Sequence, residues 1–305
     1  LTLSVVMLGA LVYTIIEAPE HGWDSIHTLA GFAVALSAAV GFVRWERRQS
    51  DPLLDVTLFA NLRFSAASGA VTVAFFALFG FIFLIIQFMQ MLQGFSPLDT
   101  GVRILPVALS IAVGSLLGAR LAVTRVGTKA VVFIGLLMMA ASFAWISGID
   151  LSVGYPEMAA QMLLLGGGLG LTTAPATDSI MGVVRREQAG AGSAVNDATR
   201  QVGGTLGVAV LGSIFSTLYI RDLTDSQAFG ALPERARAVA QDGLAQGLSV
   251  AAQSPGEVAD VIRNTVSDAF LSGLHAGCLT AAAVCLAGAF FVLAFLPSHP
   301  IGDRS

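Results

Sequence analysis

The stretch Gly190–Ser216, GAGSAVNDATRQVGGTLGVAVLGSIFS, decides how the whole chain reads. It begins polar, with Ser193, Asn196, Asp197 and Arg200, and then runs apolar and glycine-rich to Tyr219. At helical spacing Ser193, Asn196, Arg200, Gly203, Gly207 and Leu211 fall on one side, three or four residues apart. Glycine on such a face removes the side chain that would hold two backbones apart, so another helix can approach closely. An Arg and an Asp beside an apolar span are costly in lipid and need a reason. The stretch predicts a packed transmembrane helix with a polar foot.

The rest of the chain has the same character. Its mean hydropathy is +0.78. Hydrophobic residues make up 55% and charged residues 12%, the latter about half the usual share of a soluble domain. A soluble fold of 305 residues could not hide so much apolar surface, so lipid is the bulk solvent. The net charge of −4 is small and dispersed, and there is no basic cluster of the kind that grips nucleic acid. Cys278 and Cys285 share one apolar run about 10 Å apart along a helix, too far for a disulfide and without the partners of a zinc site. There is no phosphate-binding loop ending in Gly-Lys-Ser/Thr and no Gly-x-Ser-x-Gly elbow. Paired His or Cys at metal spacing are missing too, so neither an enzyme, a metal site nor a cofactor is expected. The chain opens on Leu1 inside an apolar run without a basic leader region, which reads as a truncated start rather than a signal peptide.

Apolar runs long enough to span a bilayer recur at Leu1–Ile16, Thr28–Val43, Ala66–Met91, Val102–Val123, Ala130–Ile149, Pro156–Val184, Ala191–Tyr219 and Ala269–Leu296. The expected fold is an all-α integral membrane protein of about eight transmembrane helices. Arg44, Arg47 and Arg48 follow the second span, Arg120, Arg125 and Lys129 the fourth, and Arg185 and Arg186 the sixth. The alternate connections are poorer in Lys and Arg and mostly acidic, which places the basic set, and both chain ends, in the cytoplasm. Residues 44–64 read as a cytoplasmic amphipathic linker. Residues 221–268 read as an extracytoplasmic loop, either a cap or partner site or a solvated excursion, and 297–305 as a cytoplasmic tail.

The connection after the fourth span reads Gly118-Ala-Arg-Leu-Ala-Val-Thr-Arg-Val-Gly-Thr-Lys129. It resembles the degenerate second-half loop pattern of the major facilitator superfamily: a glycine, then Arg, Gly and a basic residue in a short turn. With Pro175…Asp178, SAVNDATRQVGGTLGVAVLGS and the DPLLDVTLFANLRF linker, nearly the whole chain resembles the fourteen-span drug:proton antiporter branch. The resemblance implies that the spans are the last eight of fourteen: an extra helix pair (1–43) and a six-helix C-terminal bundle (65–296), the first six-helix half being absent. From the residues alone, Gly127 permits a tight turn, and Arg120, Arg125 and Lys129 could equally anchor to headgroups or helix C-termini.

Within the third span Phe76, Phe79, Phe83, Gln87 and Gln90 follow at steps of three and four. Aromatic faces give contact area and cation–π attraction, amides give orientation, and amides facing lipid are unfavourable. These five are therefore expected along the path of a small hydrophobic or cationic substrate, with a lipid-facing Phe stripe as the alternative. Asp178, Asp197 and Arg200 lie within roughly 9–15 Å of the same membrane face, with Asn196 beside them. They are expected to form a gating cluster that re-pairs between states, or else to snorkel and cap. Gly166, Gly167, Gly168 and Gly170 in the sixth span, and Gly203, Gly204, Gly207 and Gly212 in the seventh, would allow close packing or bending. Pro175 would kink the sixth span. His275 reads as structural.

These expectations add up to a secondary active exporter of the plasma membrane, proton-coupled and acting on many drugs by alternating access. Its partners would be the bilayer, protons and the absent half. Export of a natural metabolite or lipid precursor, or a non-transporting scaffold or sensor, remain as alternatives.

Overall fold

The computed structural model describes residues 2–49, 56–123, 126–184, 189–230 and 232–297. In chain order its helices are α1 (Thr2–His21), α2 (Ile26–Glu46), α3 (Leu62–Gln87), α4 (Pro97–Ala122), α5 (Gly127–Ile146), α6 (Tyr155–Met181), α7 (Ala189–Asp225), α8 (Gln227–Gly230), α9 (Glu234–Gln241), α10 (Leu244–Gln253) and α11 (Gly256–Phe295). Six of them, α2, α3, α4, α5, α7 and α11, are long and apolar enough to cross a membrane. α1 adds a shorter apolar segment, Thr2–Ala18. α6 spans 27 residues, but glycines and threonines interrupt the leucines at its centre, and it gains its place by packing rather than by hydropathy.

Side-chain caps set the helix starts. Asn61 Oδ1 accepts the backbone N–H groups of Arg63 at 2.9 Å and Phe64 at 3.3 Å, so α3 begins four residues before Ala66. Ser96 accepts the N–H of Asp99 at 3.1 Å and donates to its carboxylate at 2.7 Å, closing a reciprocal cap on α4. Gly127 has φ +76°, a conformation that glycine adopts without strain, and this lets α5 follow α4 after a tight turn. Gly118 and Arg120 lie inside α4 rather than in that turn. Arg120 is exposed and Lys129 half-buried, while Arg125, Arg185 and Arg186 lie outside the described residues. At its far end α3 widens into a π-helix, Phe88–Leu92.

α6 is the central helix of the bundle: it packs on α4, on α5 and on α3. α3 packs chiefly on α7, and α11 on α5, α7 and α3. The α1–α2 hairpin joins through α1 lying on α7. The two glycine-rich helices α6 and α7 therefore serve different partners and barely meet. A Cβ on Gly114 would stand 2.5 Å from the Gly167 carbonyl oxygen, and one on Gly166 would strike the Val107 carbonyl, so α4 and α6 cross backbone to backbone. On α7 a Cβ at Gly203 would strike the Thr72 carbonyl, and one at Gly207 the Phe76 carbonyl. Gly204 instead seats the Phe79 ring, 3.0 Å from where its Cβ would be. α6 runs through Pro175 without a break.

One end of the bundle gathers the start of α3, the end of α6 and the start of α7, tied by the Arg63 guanidinium donating to Ser179 Oγ at 3.4 Å. This is the basic end. At the other end Gln93 donates to the Val153 carbonyl at 3.2 Å, and Tyr155 Oη to the Arg103 carbonyl at 3.3 Å. The Arg103 guanidinium lies 4.1 Å from the Phe95 ring centre and 4.9 Å from that of Tyr155. His275 Nε2 donates to the Ile149 carbonyl at 2.7 Å. Beside it Ser152 holds the Asp150 carboxyl below its ordinary pKa, through hydroxyl and backbone N–H bonds.

The long connection after the seventh span differs from a solvated excursion. α7 has 37 residues and α11 has 40, about 55 and 60 Å at 1.5 Å per residue, against a hydrocarbon core of about 30 Å. Both are longer than that core is thick, and α8–α10 fold over their ends as a cap with Phe229, Ala240, Leu244 and Ala251 buried. Buried Tyr219 donates from its hydroxyl to the Ala240 carbonyl at 3.1 Å, across the cap. Tyr219→Phe is expected to cost about 1 kcal/mol and to speed proteolysis between α8 and α10. An unchanged cleavage rate would show that the bond does not hold the cap.

Candidate functional site

The polar foot of α7 meets α6 at the basic end. Arg200 Nη2 donates to Thr177 Oγ1 at 3.2 Å, and that hydroxyl donates to Asn196 Oδ1 at 3.4 Å. The Arg200 guanidinium also stands 5.2 Å from the centre of the Phe75 ring, within cation–π range. Arg200 forms no ion pair with Asp178 or Asp197. The sequence placed these charges at one depth, but Thr177, one residue before Asp178, is the side chain that points at α7. Asp178 and Asp197 are both exposed.

Between α3, α4, α6 and α7 these residues border a cavity of about 470 Å³. α3 contributes Phe75 and Leu78, α4 Ile111, Ser115 and Ala119, α6 Leu169, Thr173, Ala174, Thr177 and Asp178, and α7 Arg200. Its size falls among those of drug-sized ligand sites, and its wall sets the polar or charged side chains of Ser115, Thr173, Thr177, Asp178 and Arg200 among six apolar ones.

The five expected path residues of α3 do not come together here. Phe76 is 8% exposed and sits at the α3–α7 crossing, because the Gly203–Gly207 face draws that side of α3 inward; it is a packing residue. Phe79 lies over Gly204, 6.3 Å from Phe75 centre to centre. Phe83 packs near Gly212. Gln87 donates to the Phe83 carbonyl of its own helix at 3.2 Å, which satisfies the amide without a cavity. Gln90 lies in the π-helix. Phe75 and Thr177 were missed, although two threonines four residues apart, Thr173 and Thr177, in an apolar helix are a readable signal of a polar face.

The family model of the Major Facilitator Superfamily matches residues 1–208. The chain belongs to this superfamily. It is 34% identical over 219 residues to the multidrug resistance protein Stp of Mycobacterium tuberculosis, covering 70% of this chain and 40% of Stp. It is 30% identical over 303 residues to the tetracenomycin C resistance and export protein of Streptomyces glaucescens, covering 97% and 56%. With the multidrug efflux pump LfrA of Mycolicibacterium smegmatis it shares 30% over 292 residues, covering 96% and 57%. The chain spans about half the length of the curated relatives it matches. Among solved structures, a bacterial homologue of the human lysosomal transporter Spinster shares the fold. Its inward-facing occupied form superposes with a TM-score of 0.59 at 15% identity, over 96% of this chain and 67% of that one. The unoccupied form gives 0.57 at 19%, over 90% and 59%. Like other superfamily members, the chain is a multi-pass membrane protein, and its cavity lies among helices whose close crossings are made by glycine.

Proposed function

We propose that this chain forms the last eight helices of a fourteen-span drug:proton antiporter, exporting small, largely apolar compounds across the plasma membrane with its basic end cytoplasmic. The observation that carries this reading is the cavity among α3, α4, α6 and α7, with Arg200, Asp178 and the hydroxyls of Ser115, Thr173 and Thr177 set among six apolar residues. A further six-helix bundle, facing the open side of that cavity, would complete the path, and transport would follow from rocking of the two bundles. The Arg200–Thr177–Asn196 string ties α7 to α6 at the basic end. Breaking it is the local step that lets that end spread. Asp178 and Asp197 beside it are groups whose pairing would bias the two states, while the main proton carrier belongs to the other bundle.

Efflux of a fluorescent aromatic compound by the full-length gene product tests the reading. Efflux should stop when an uncoupler collapses the proton gradient, and efflux that continues unchanged would refute antiport. In the same assay Phe75→Ala should slow export several-fold without loss of protein, since its ring faces the cavity. Gln87→Ala should leave export near wild type, because its amide is spent on its own helix; the reverse order would place the path on the other face of α3.

A further inference from the structure

Arg200 lies eleven residues, about 16 Å, into α7, at a depth where an uncompensated charge is expensive. The side chains it contacts are neutral: the Thr177 hydroxyl takes one N–H, and the Phe75 ring covers the guanidinium. Nε is buried without a hydrogen-bond partner. Asp178, on the same cavity, is exposed and makes no ion pair with it. A guanidinium has five N–H donors in a planar fork that fits a carboxylate edge-on. Here the fork stands beside an aromatic ring on a wall that also carries three hydroxyls and the Asp178 carboxylate, in a space the size of a drug-sized molecule.

We propose that Arg200 is the specificity-determining residue of this cavity, and that it selects planar aromatic compounds bearing an acidic or strongly accepting oxygen group. The proposal rests on the exporter reading above and replaces the cationic alternative in the expectation of small hydrophobic or cationic substrates with an acidic one. The ligand's ring system lies against Phe75 and Leu78, and its oxygen group makes the pairing with Arg200 that Asp178 does not make. Ser115 and Thr173 on the neighbouring walls accept or donate to further polar substituents. A cationic compound of the same shape meets Arg200 as a like charge, and only the exposed Asp178 at the cavity wall favours it.

The test is equilibrium binding to the purified full-length gene product, with three probes that share one ring system: anthracenecarboxylate, anthracenecarboxamide and (aminomethyl)anthracene. Wild type should bind the carboxylate most tightly and the amine most weakly. Arg200→Ala should weaken the carboxylate about tenfold or more while shifting the carboxamide by less than about threefold. Arg200→Lys should recover part of the loss, and Asp178→Asn, which takes a negative charge off the cavity wall, should tighten the carboxylate. Because each comparison is between probes on one preparation, partial unfolding of a variant cannot imitate the pattern. An equal loss of all three probes in Arg200→Ala would overturn the assignment in favour of a purely structural or inter-bundle role, and a wild-type preference for the amine would overturn it outright. Selective binding without proton-driven efflux would leave the assignment standing and sink the exporter reading. Efflux without acid preference would do the opposite.

Discussion

Gly207→Val is expected to cost about 3 kcal/mol of stability and to remove export in the full-length protein. The Cβ would fall on the carbonyl oxygen of Phe76, a helix backbone that cannot swing aside as a side-chain end can. α3 and α7 would have to separate along the whole Thr72–Phe76 contact, and Leu211, which seats against Gly80 four residues on, would lose its place. Since these two helices carry Phe75 and Arg200, the cavity wall would open with them. Thermal unfolding in detergent, with export measured in parallel, checks this. Gly190→Ala is the control on the same helix: nothing lies within 4 Å of its Cβ position, so its midpoint should match or slightly exceed wild type. A Gly207→Val midpoint equal to that of the control would mean that the two helices do not touch there.

The second large effect is expected from Phe270→Ala, at about 3–5 kcal/mol. Phe270 is fully buried on α11. Its ring centre lies 6.5 Å from Phe88, in the π-helix after α3, and 5.0 Å edge-on from Phe215 on α7, which in turn stacks on Tyr219 at 5.8 Å. One truncation thus empties the point at which three helices and the base of the cap converge. Phe270→Leu should recover most of the loss, because it conserves much of the volume. If the alanine variant melted within about 0.5 kcal/mol of wild type, the cluster would not be holding α11.

The membrane helices were legible because a run of about 20 apolar residues has few other uses. Their ends were not. α11 begins at Gly256, thirteen residues before Ala269, where the composition is polar; Ile262, Val266 and Phe270 nevertheless recur every fourth residue and are buried. The face of α3 that borders the cavity is not legible for a related reason. The helix is apolar all round, so no stripe marks which side meets protein, and the choice between Phe75 and Phe76, about 100° apart, falls to the glycines of α7. Depth along a helix follows from counting, which is why Arg200, Asp178 and Asn196 were placed at one level. Azimuth depends on the partner, and that moved the contact from Asp178 to Thr177.

The length of α7 has a mechanical consequence. The helix is unbroken from Ala189 to Asp225, so Arg200 and the foot of the cap ride on one rod, about 38 Å apart. A tilt of about 5° at the cavity becomes a swing of about 3 Å at the far end by that same geometry. The cap is therefore a pointer: a spectroscopic label on exposed Glu234 would register the posture of the ligand-facing wall from the water, with no reporter placed in the lipid.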